Sequence, residues 1–508
     1  MNKINHKMPT VEGRSRSVIA GITAIALLLQ GCAVNPIPLT EQELTDAATD
    51  KLSRIDVNQE PVSAPIGLYE AMARALKYNL DHKVELMQMS LARAKLSNAS
   101  LEGLPSIVAN AGYSARNSDS ASYSENLLTG LRSSSPSFST ERSNLAADLT
   151  FTWDVLDFGL SYIRAKQTAD KALIAEEQKR KVVNRIIEDV RTSYWRAISA
   201  EHLLSGFQSL EVRVIRAQKN SKALRAAGQT SPLAALTFER ELIDIKKQIQ
   251  RLERELSTAK IQLAALINVR PGTEFQLVVP ERNMLDLSLK IDGASMVDLA
   301  LKNRPELREN IYSARINSKE ADAALLKLLP GASIHASLNL DTSDFLYNSN
   351  WATWGAKASW NAIQLLRYPA IKSEIKAQSV LIDQQSLALT MAIVTQVHVA
   401  RARYAYLHKS AATSAEFYNV QRSILKQVKA SADAEASSEQ VLLREEMNTL
   451  VAAVEFDIAY ADLQNAFATV YTSVGLDPYD ANISTDMSVS ELAVSLRTTW
   501  RERGDLDG

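Results

Sequence analysis

Residues Leu145–Gly159 read LAADLTFTWDVLDFG. The first part alternates, with Leu145, Ala147, Leu149, Phe151 and Trp153 on one side and Asp148, Thr150 and Thr152 on the other. Period-two alternation marks a strand with one apolar and one polar face. From Leu160 to Ala227 there is then no proline and a single glycine, Gly206. Apolar positions recur there in steps of three and four, at Val183, Ile187, Val190, Tyr194 and Ala197, and again at Phe207, Leu210, Val214 and Ala217. That spacing describes the packed face of a long helix of coiled-coil type. At 1.5 Å per residue the stretch predicts a rod of ~100 Å.

The same pattern is written twice. An offset of 225 aligns Ala75, Leu76 and Lys77 with Ala300, Leu301 and Lys302, and Ala99, Leu101, Leu104 and Pro105 with Ala324, Leu326, Leu329 and Pro330. Further on, an offset of 207 aligns Trp153 with Trp360, Val190 with Val397, Glu239 with Glu446, and Pro271 with Pro478. The 18-residue difference falls between Pro105 and Trp153, where the first copy has the longer loop. A constant register over so many residues points to internal duplication.

Each copy has one internal order. A helix ends at Pro105 or Pro330, and strands follow at about 105–115 and 145–154, and at about 330–341 and 351–361. Ser/Asn-rich loops, roughly 115–144 and 342–350, join the strands of each pair. Ile107, Ala109, Ala111 and Tyr113 make the apolar side of one strand, and Ile334, Ala336, Leu338 and Leu340 that of its counterpart. Trp354, Ala356, Ala358 and Trp360 match the Leu145–Trp153 series. Two readings fit such hairpins: a membrane β-barrel hairpin, apolar outside and polar inside, or a hairpin carried on a soluble helical domain. The long helices, about 160–227 and 367–434, have Pro369 in the first turn of the second. They turn at Gly228-Gln229-Thr230-Ser231-Pro232 and at Glu435-Ala436-Ser437-Ser438, and return to about Asn268 and Val474. The helices at 82–104 and 233–268 are short enough to stack end to end along the first rod, as are 307–329 and 440–475 along the second. Residues 35–65, 269–306 and the tail after 479 are expected to form a belt around the helices, with the last residues loose.

The N-terminus is an address. Lys3, Lys7, Arg14 and Arg16 precede an apolar run from Val18 to Leu29, too short to cross a bilayer. It ends in Leu29-Gln30-Gly31-Cys32, which resembles a bacterial lipoprotein signal, although Gln30 departs from the usual small residue. The resemblance implies that Cys32 becomes a lipidated N-terminus, and Ala33 after it resembles lipoproteins sent to the outer membrane. The other reading is ordinary cleavage nearby that leaves Cys32 a free thiol. No other segment reaches 18 consecutive apolar residues, so any further membrane span must be made of strands. The domain plan is therefore a signal at 1–31, an N-terminal periplasmic segment at 32–65, repeats at 66–280 and 281–480, and a tail at 481–508.

Composition removes other classes. With 57 basic and 58 acidic residues the net charge is −1, which gives no electrostatic case for nucleic acid. One cysteine excludes a disulfide framework and any cysteine-based metal site, and the six histidines show no pair at ligand spacing. No GxSxG, HExxH or P-loop pattern appears, so neither an enzyme nor a cofactor is expected.

Over roughly residues 38–480 the duplicated plan resembles the TolC-like outer-membrane efflux family. Trp153-Asp154-Val155-Leu156-Asp157-Phe158-Gly159 is similar to that family's signal where a strand enters the long helix; Trp360–Arg367 lacks the glycine. The resemblance implies a mainly α protein with a small membrane β-barrel. Three protomers would each give four strands to one 12-stranded barrel, continuous with a periplasmic α-helical barrel. It implies a passive exit duct for drugs, ions or proteins, in a tripartite efflux or type I secretion system. Its partners would be a periplasmic adaptor (membrane fusion) protein, an inner-membrane pump of RND or ABC type, and outer-membrane lipid. The turns at Gly228, Gln229, Thr230 and Ser231 and at Ser437 and Ser438 would then meet the adaptor, and Asp433, Glu435 and Glu439 would ring a constriction or merely solvate a turn. Trp153 and Trp360 would be membrane-interface anchors or strand-end core. The competing reading is a lipid-anchored periplasmic coiled-coil tether or adaptor without a pore, which leaves the two matched hairpins unexplained.

Overall fold

The computed structural model describes residues 36–229, 231–279, 289, 291–434, 438–477 and 486–503. The described chain falls into two units, one up to Gln59 and one from Glu60 on. Within the first unit lies helix α1 (Glu41–Arg54), opened by a capping box in which Thr40 accepts from the Glu43 amide and the Glu43 carboxylate accepts from the Thr40 amide. None of its residues is buried within the chain.

In the second unit, α2 (Leu68–Tyr78) and α3 (Leu80–Leu101) lead into β1 (Ser106–Ala115) and β2 (Ser143–Asp154), and α4 (Val155–Ala226) follows with no intervening residue. The return is α5 (Pro232–Ser257) and α6 (Ala259–Leu266). The second copy runs α7 (Gly293–Asn303), α8 (Pro305–Leu326), β3 (Gly331–Asp341), β4 (Asn350–Ser359), α9 (Ile363–Asp433) and α10 (Glu439–Ser473), and α11 (Val489–Arg503) ends the described chain. The four strands form one antiparallel sheet in the order β1-β2-β3-β4. Within one chain this sheet is open, not a closed barrel.

The long helix α4 has 72 residues and α9 has 71, so each is ~107 Å long. The predicted inner face of α4 is the observed one: Val183, Ile187, Val190, Tyr194, Ala197, Phe207, Leu210, Val214 and Ala217 are all buried. As expected, α3 and the α5–α6 pair both pack along α4, one on each half, and α8 and α10 pack along α9; α8 and α10 also touch α4. Two cores result. One gathers Met72, Ile187, Tyr194, Leu263, Phe275, Phe467 and Trp500 at the middle of the rods. The other joins Phe207, Leu210, Leu242, Ile249, Leu443 and Met447 nearer the turns.

The duplication survives in backbone detail. The returning helices stop at residues with positive φ, Asn268 (56°) and Gly475 (75°), which stand 207 apart. The hydrogen bonds match at the same offset: Val269 N to Ala264 O (2.8 Å) and Asn268 N to Ala265 O (3.3 Å), against Leu476 N to Tyr471 O (3.1 Å) and Gly475 N to Thr472 O (3.0 Å). Both are Schellman stops, which need a left-handed residue and favour glycine or asparagine.

Three features differ from the sequence expectation. The second rod starts at Ile363 rather than 367, so Pro369 is its seventh residue and has no amide to donate to the Leu365 carbonyl. The first returning helix is interrupted at Thr258, whereas its counterpart runs unbroken. The tail is not loose over Val489–Arg503: Val489, Leu492, Leu496 and Trp500 form a buried stripe, and the Arg191 guanidinium lies 4.5 Å over the Trp500 ring. Of the expected belt, Ile66 pairs with Leu277 in a parallel bridge, and the Tyr194 hydroxyl donates toward Ile66 O (3.2 Å) and Val278 O (2.8 Å).

Candidate functional site

The sheet carries the first functional feature. Its register aligns Ile107 with Phe151, Ala109 with Leu149 and Tyr113 with Leu145. Phe151 then meets Ala336, Leu149 meets Leu338, and Trp153 meets Ile334. Ala336 meets Trp354 and Leu338 meets Ala352. One apolar face thus crosses all four strands. The opposite face is polar, with rows such as Ser106–Thr152–His335 and Asn110–Asp148–Asn339. Exposure follows the wrong rule for a water-soluble sheet. Along β3 the polar positions are half-buried and the apolar ones exposed, residue by residue: Ile334 is 48% and Leu338 62% exposed. Among the polar residues, Asn110 Nδ2 and Thr150 Oγ1 donate to Asp148 Oδ2 (3.0 and 2.7 Å), and Thr150 Oγ1 lies 3.0 Å from Ser337 Oγ. An inside-out sheet of this kind fits lipid on one face and water on the other.

The two tryptophans lie at the helix end of this sheet. Trp153 belongs to the apolar face and meets Phe158 edge-on at 5.9 Å. Trp360 lies one residue past β4, is 57% exposed, and donates from Nε1 to Leu328 O (3.0 Å). The Trp153–Gly159 stretch forms a joint. Asp154 ends β2, and its carboxylate accepts from the Leu156 and Asp157 amides (2.9 and 3.0 Å), so it also caps α4. At the equivalent place Asn361 Oδ1 accepts from Ile363 N (3.2 Å), and three residues separate β4 from α9. A Cβ on Gly159 would meet Leu326 Cδ2 of α8 at 2.8 Å. The counterpart Leu366 is 81% exposed and has no such neighbour to avoid, which accounts for the missing glycine in the second copy.

The far ends of the rods hold the second feature. Gly228 (φ 69°) closes α4, with Gln229 N donating to Leu224 O (3.0 Å). Ser231 precedes Pro232, the first residue of α5. Asp433 ends α9, Ser438 caps α10 by accepting from Val441 N (3.4 Å), and Glu439 opens α10. Asp433 and Glu439 are both exposed. Cys32, Thr230, Glu435 and Ser437, and the expected signal at 1–31, lie outside the described residues.

A cross-link between the two turn ends had no sequence signal. Glu241 of α5 accepts from Gln440 Nε2 (2.7 Å) and pairs with Arg444 Nε (3.3 Å), both on α10. Arg213 of α4 pairs with Glu446, which Lys429 of α9 also approaches at 3.6 Å. These ties hold the helix pair of one repeat to that of the other. Among the described residues no group of three or more His, Cys, Asp or Glu could hold a metal ion.

No family model matches the chain, and no curated protein matches it. Solved structures do. The CmeC outer membrane channel of Campylobacter jejuni superposes with a TM-score of 0.64 at 14% identity, covering 85% of this chain and 90% of that one. The open state of the MtrE outer membrane channel of Neisseria gonorrhoeae gives 0.60 at 17% identity, covering 81% and 89%. The outer-membrane channel OprN gives 0.59 at 18% identity, covering 80% and 89%. With the duplicated strand-to-rod plan and the inside-out sheet, these likenesses establish that the chain has the fold of the TolC-like outer-membrane channels.

Proposed function

We propose that the chain is the outer-membrane exit duct of a tripartite efflux or type I secretion system. The observation that carries this is a sheet with one apolar face running exposed across all four strands, its inner strand β3 half-buried on the polar side, joined without slack to a ~107 Å helix. Among the described residues β1 and β4 each pair on one side only. In lipid an open edge leaves backbone groups without partners, at several kcal/mol each. Pairing β1 of one copy with β4 of the next closes the sheet, and three copies give the 12-stranded barrel of a homotrimer. The polar face then lines a water-filled lumen, and Trp153 and Trp360 sit at the inner membrane–water boundary. Cys32 carries the lipid that fixes the chain to the same membrane. The turn ends at Gly228–Ser231 and Ser437–Ser438 face the cell interior and meet a periplasmic adaptor fed by an inner-membrane pump. Asp433, Glu435 and Glu439 ring that end and favour cations there. The duct itself does no chemistry.

The test is to purify the Cys32→Ala protein, image it by negative-stain microscopy and record it in a planar lipid bilayer. A threefold cylinder well over ~100 Å long, with stepwise conductance, is expected. A variant that leaves the membrane without detergent and images as single rods would overturn the duct and leave a tether.

A further inference from the structure

One tryptophan stands on the wrong side of the sheet. Strand β4 carries Trp354, Ala356 and Ala358 on its apolar face, but Trp351 has the opposite parity and falls on the polar one. The register fixes this. Trp351 lies opposite Asn339, Asn339 opposite Asp148, and Asp148 opposite Asn110. Trp351 is the second residue of β4, at the loop end of the sheet and away from the rods. Facing away from the apolar side, it does not anchor the sheet at a lipid boundary. It is not wall packing either. Trp351 is 41% exposed, and its indole has no ring contact, cation contact or hydrogen bond among the described residues.

Two carboxylates share its surroundings. Asp341 is its diagonal neighbour on β3, two residues beyond Asn339, at ~7–8 Å. Asp148 is two strands away on the same row, at ~10 Å. Neither has a salt-bridge partner among the described residues. Asp341 accepts from Ser343 N (2.9 Å) and Asn144 Nδ2 (3.3 Å). Both bonds on Asp148 fall on Oδ2, so its Oδ1 is left without a donor. Asn339 is committed elsewhere, with Nδ2 donating to Ser337 O and Thr353 Oγ1 (3.4 Å each). Cations are remote. Lys357 is the one lysine or arginine in the four strands. It lies six residues further along β4, hence ~20 Å from Trp351. Arg116, just past β1, is three strands away.

We propose that Trp351, Asp341 and Asp148 form a site for a small organic cation of the substituted-ammonium class. An indole face attracts such a cation within ~6 Å of the ring centroid, and the two carboxylates supply the opposite charge beside it. A poorly hydrated ammonium with apolar substituents gains from the ring. A hydrated metal ion does not, and an anion meets two carboxylates. Every component comes from β2, β3 and β4 of one chain, so the site needs no second copy. It rests on the duct reading for its place: the polar face lines the lumen, and the site lies on the wall near the end away from the rods. Organic cations leaving the duct are held there briefly.

The experiment uses the full chain carrying Cys32→Ala in phosphatidylcholine nanodiscs, with benzyltrimethylammonium, benzyl alcohol and benzoate as probes and saturation-transfer NMR as readout. Saturable binding of benzyltrimethylammonium alone is expected, weakening as salt is raised. Trp351→Leu keeps apolar bulk but has no ring, and should weaken it about two- to fivefold; Trp351→Phe should restore part of the loss. Asp341→Asn combined with Asp148→Asn should weaken it and remove most of the salt dependence. Trp354→Leu, on the apolar face, should leave it as it is. Thermal unfolding shows which variants remain folded. Binding that is equal for benzyl alcohol, non-saturable, or unchanged in folded Trp351→Leu would overturn the site. If Trp351→Leu does not fold, binding unchanged in the double aspartate variant overturns it. A failure of the duct shows instead as missing conductance or missing trimers, with binding to the sheet of one chain intact.

Discussion

Replacing Leu338 by arginine separates a lipid-facing sheet from one in water. Leu338 lies on the apolar face between Leu149 and Ala352 and is 62% exposed. Strand β3 has 11 residues. At ~3.4 Å per residue and a tilt of ~40° it rises ~25 Å, the height of an outer-membrane apolar band. Leu338 is two residues from the strand centre at Ala336, hence ~5 Å from the midplane. On a soluble surface, Leu338→Arg changes stability by no more than ~0.5 kcal/mol. On a lipid face it costs ~2–4 kcal/mol per chain, or ~6–12 per trimer. Thr353→Arg, on the polar face at nearly the same height, is the control. Reversible unfolding in urea, followed by tryptophan fluorescence in lipid vesicles, measures both. If the two variants agree within ~0.5 kcal/mol, the apolar face does not meet lipid and the argument from exposure fails.

Other outcomes are as specific. Trp500→Ala empties a fully buried site under the Arg191 guanidinium and should cost ~3–5 kcal/mol in thermal unfolding; under 1 kcal/mol would show that α11 only decorates the rods. Gly475→Ala forces a side chain at φ 75° and a Cβ 2.6 Å from the Asn303 backbone, so it should cost at least ~2 kcal/mol. Asn268→Gly, at the matching stop, should stay within ~0.5 kcal/mol. Burial lowers the pKa of His82, whose Nδ1 sits 2.7 Å from Leu76 O. The unfolded chain then takes up a proton that the fold does not, so stability should fall as pH drops below the usual histidine value; His82→Gln should flatten that slope in a urea titration. Lys77 lowers the pKa of Glu60, whose carboxylate also accepts from Val489 N. Its contribution is present above the ordinary glutamate value and lost as pH falls below it, so Glu60→Gln should be less acid-sensitive than the parent.

The strands and rods were legible because their signals are local. Alternation from Leu145 to Trp153 marks a strand without reference to neighbours, and the lack of proline between Leu160 and Ala227, with apolar residues at steps of three and four, points to one long helix. The observed strands begin and end within two residues of expectation. Helix α1 and helix α11 were not read: the Thr40–Glu43 capping box and the Val489, Leu492, Leu496, Trp500 spacing span few residues beside the rods. The break at Thr258 has no proline or glycine to announce it. The ties of Glu241 to Arg444 and of Arg213 to Glu446 join residues about 200 or more positions apart, and charge is too common on helices to predict which pairs meet.

The two joints between sheet and rod are built differently, and that difference is mechanical. At Asp154 the strand becomes the helix without a spare residue, so this joint behaves as a weld. At Trp360–Ala362 three residues intervene, and the Trp360 indole rests on Leu328 O as a light detent. The first rod is continuous with its strand, whereas three residues stand between the second rod and its strand. Each chain therefore holds one rod fixed directly to its strand and one rod attached through a three-residue joint.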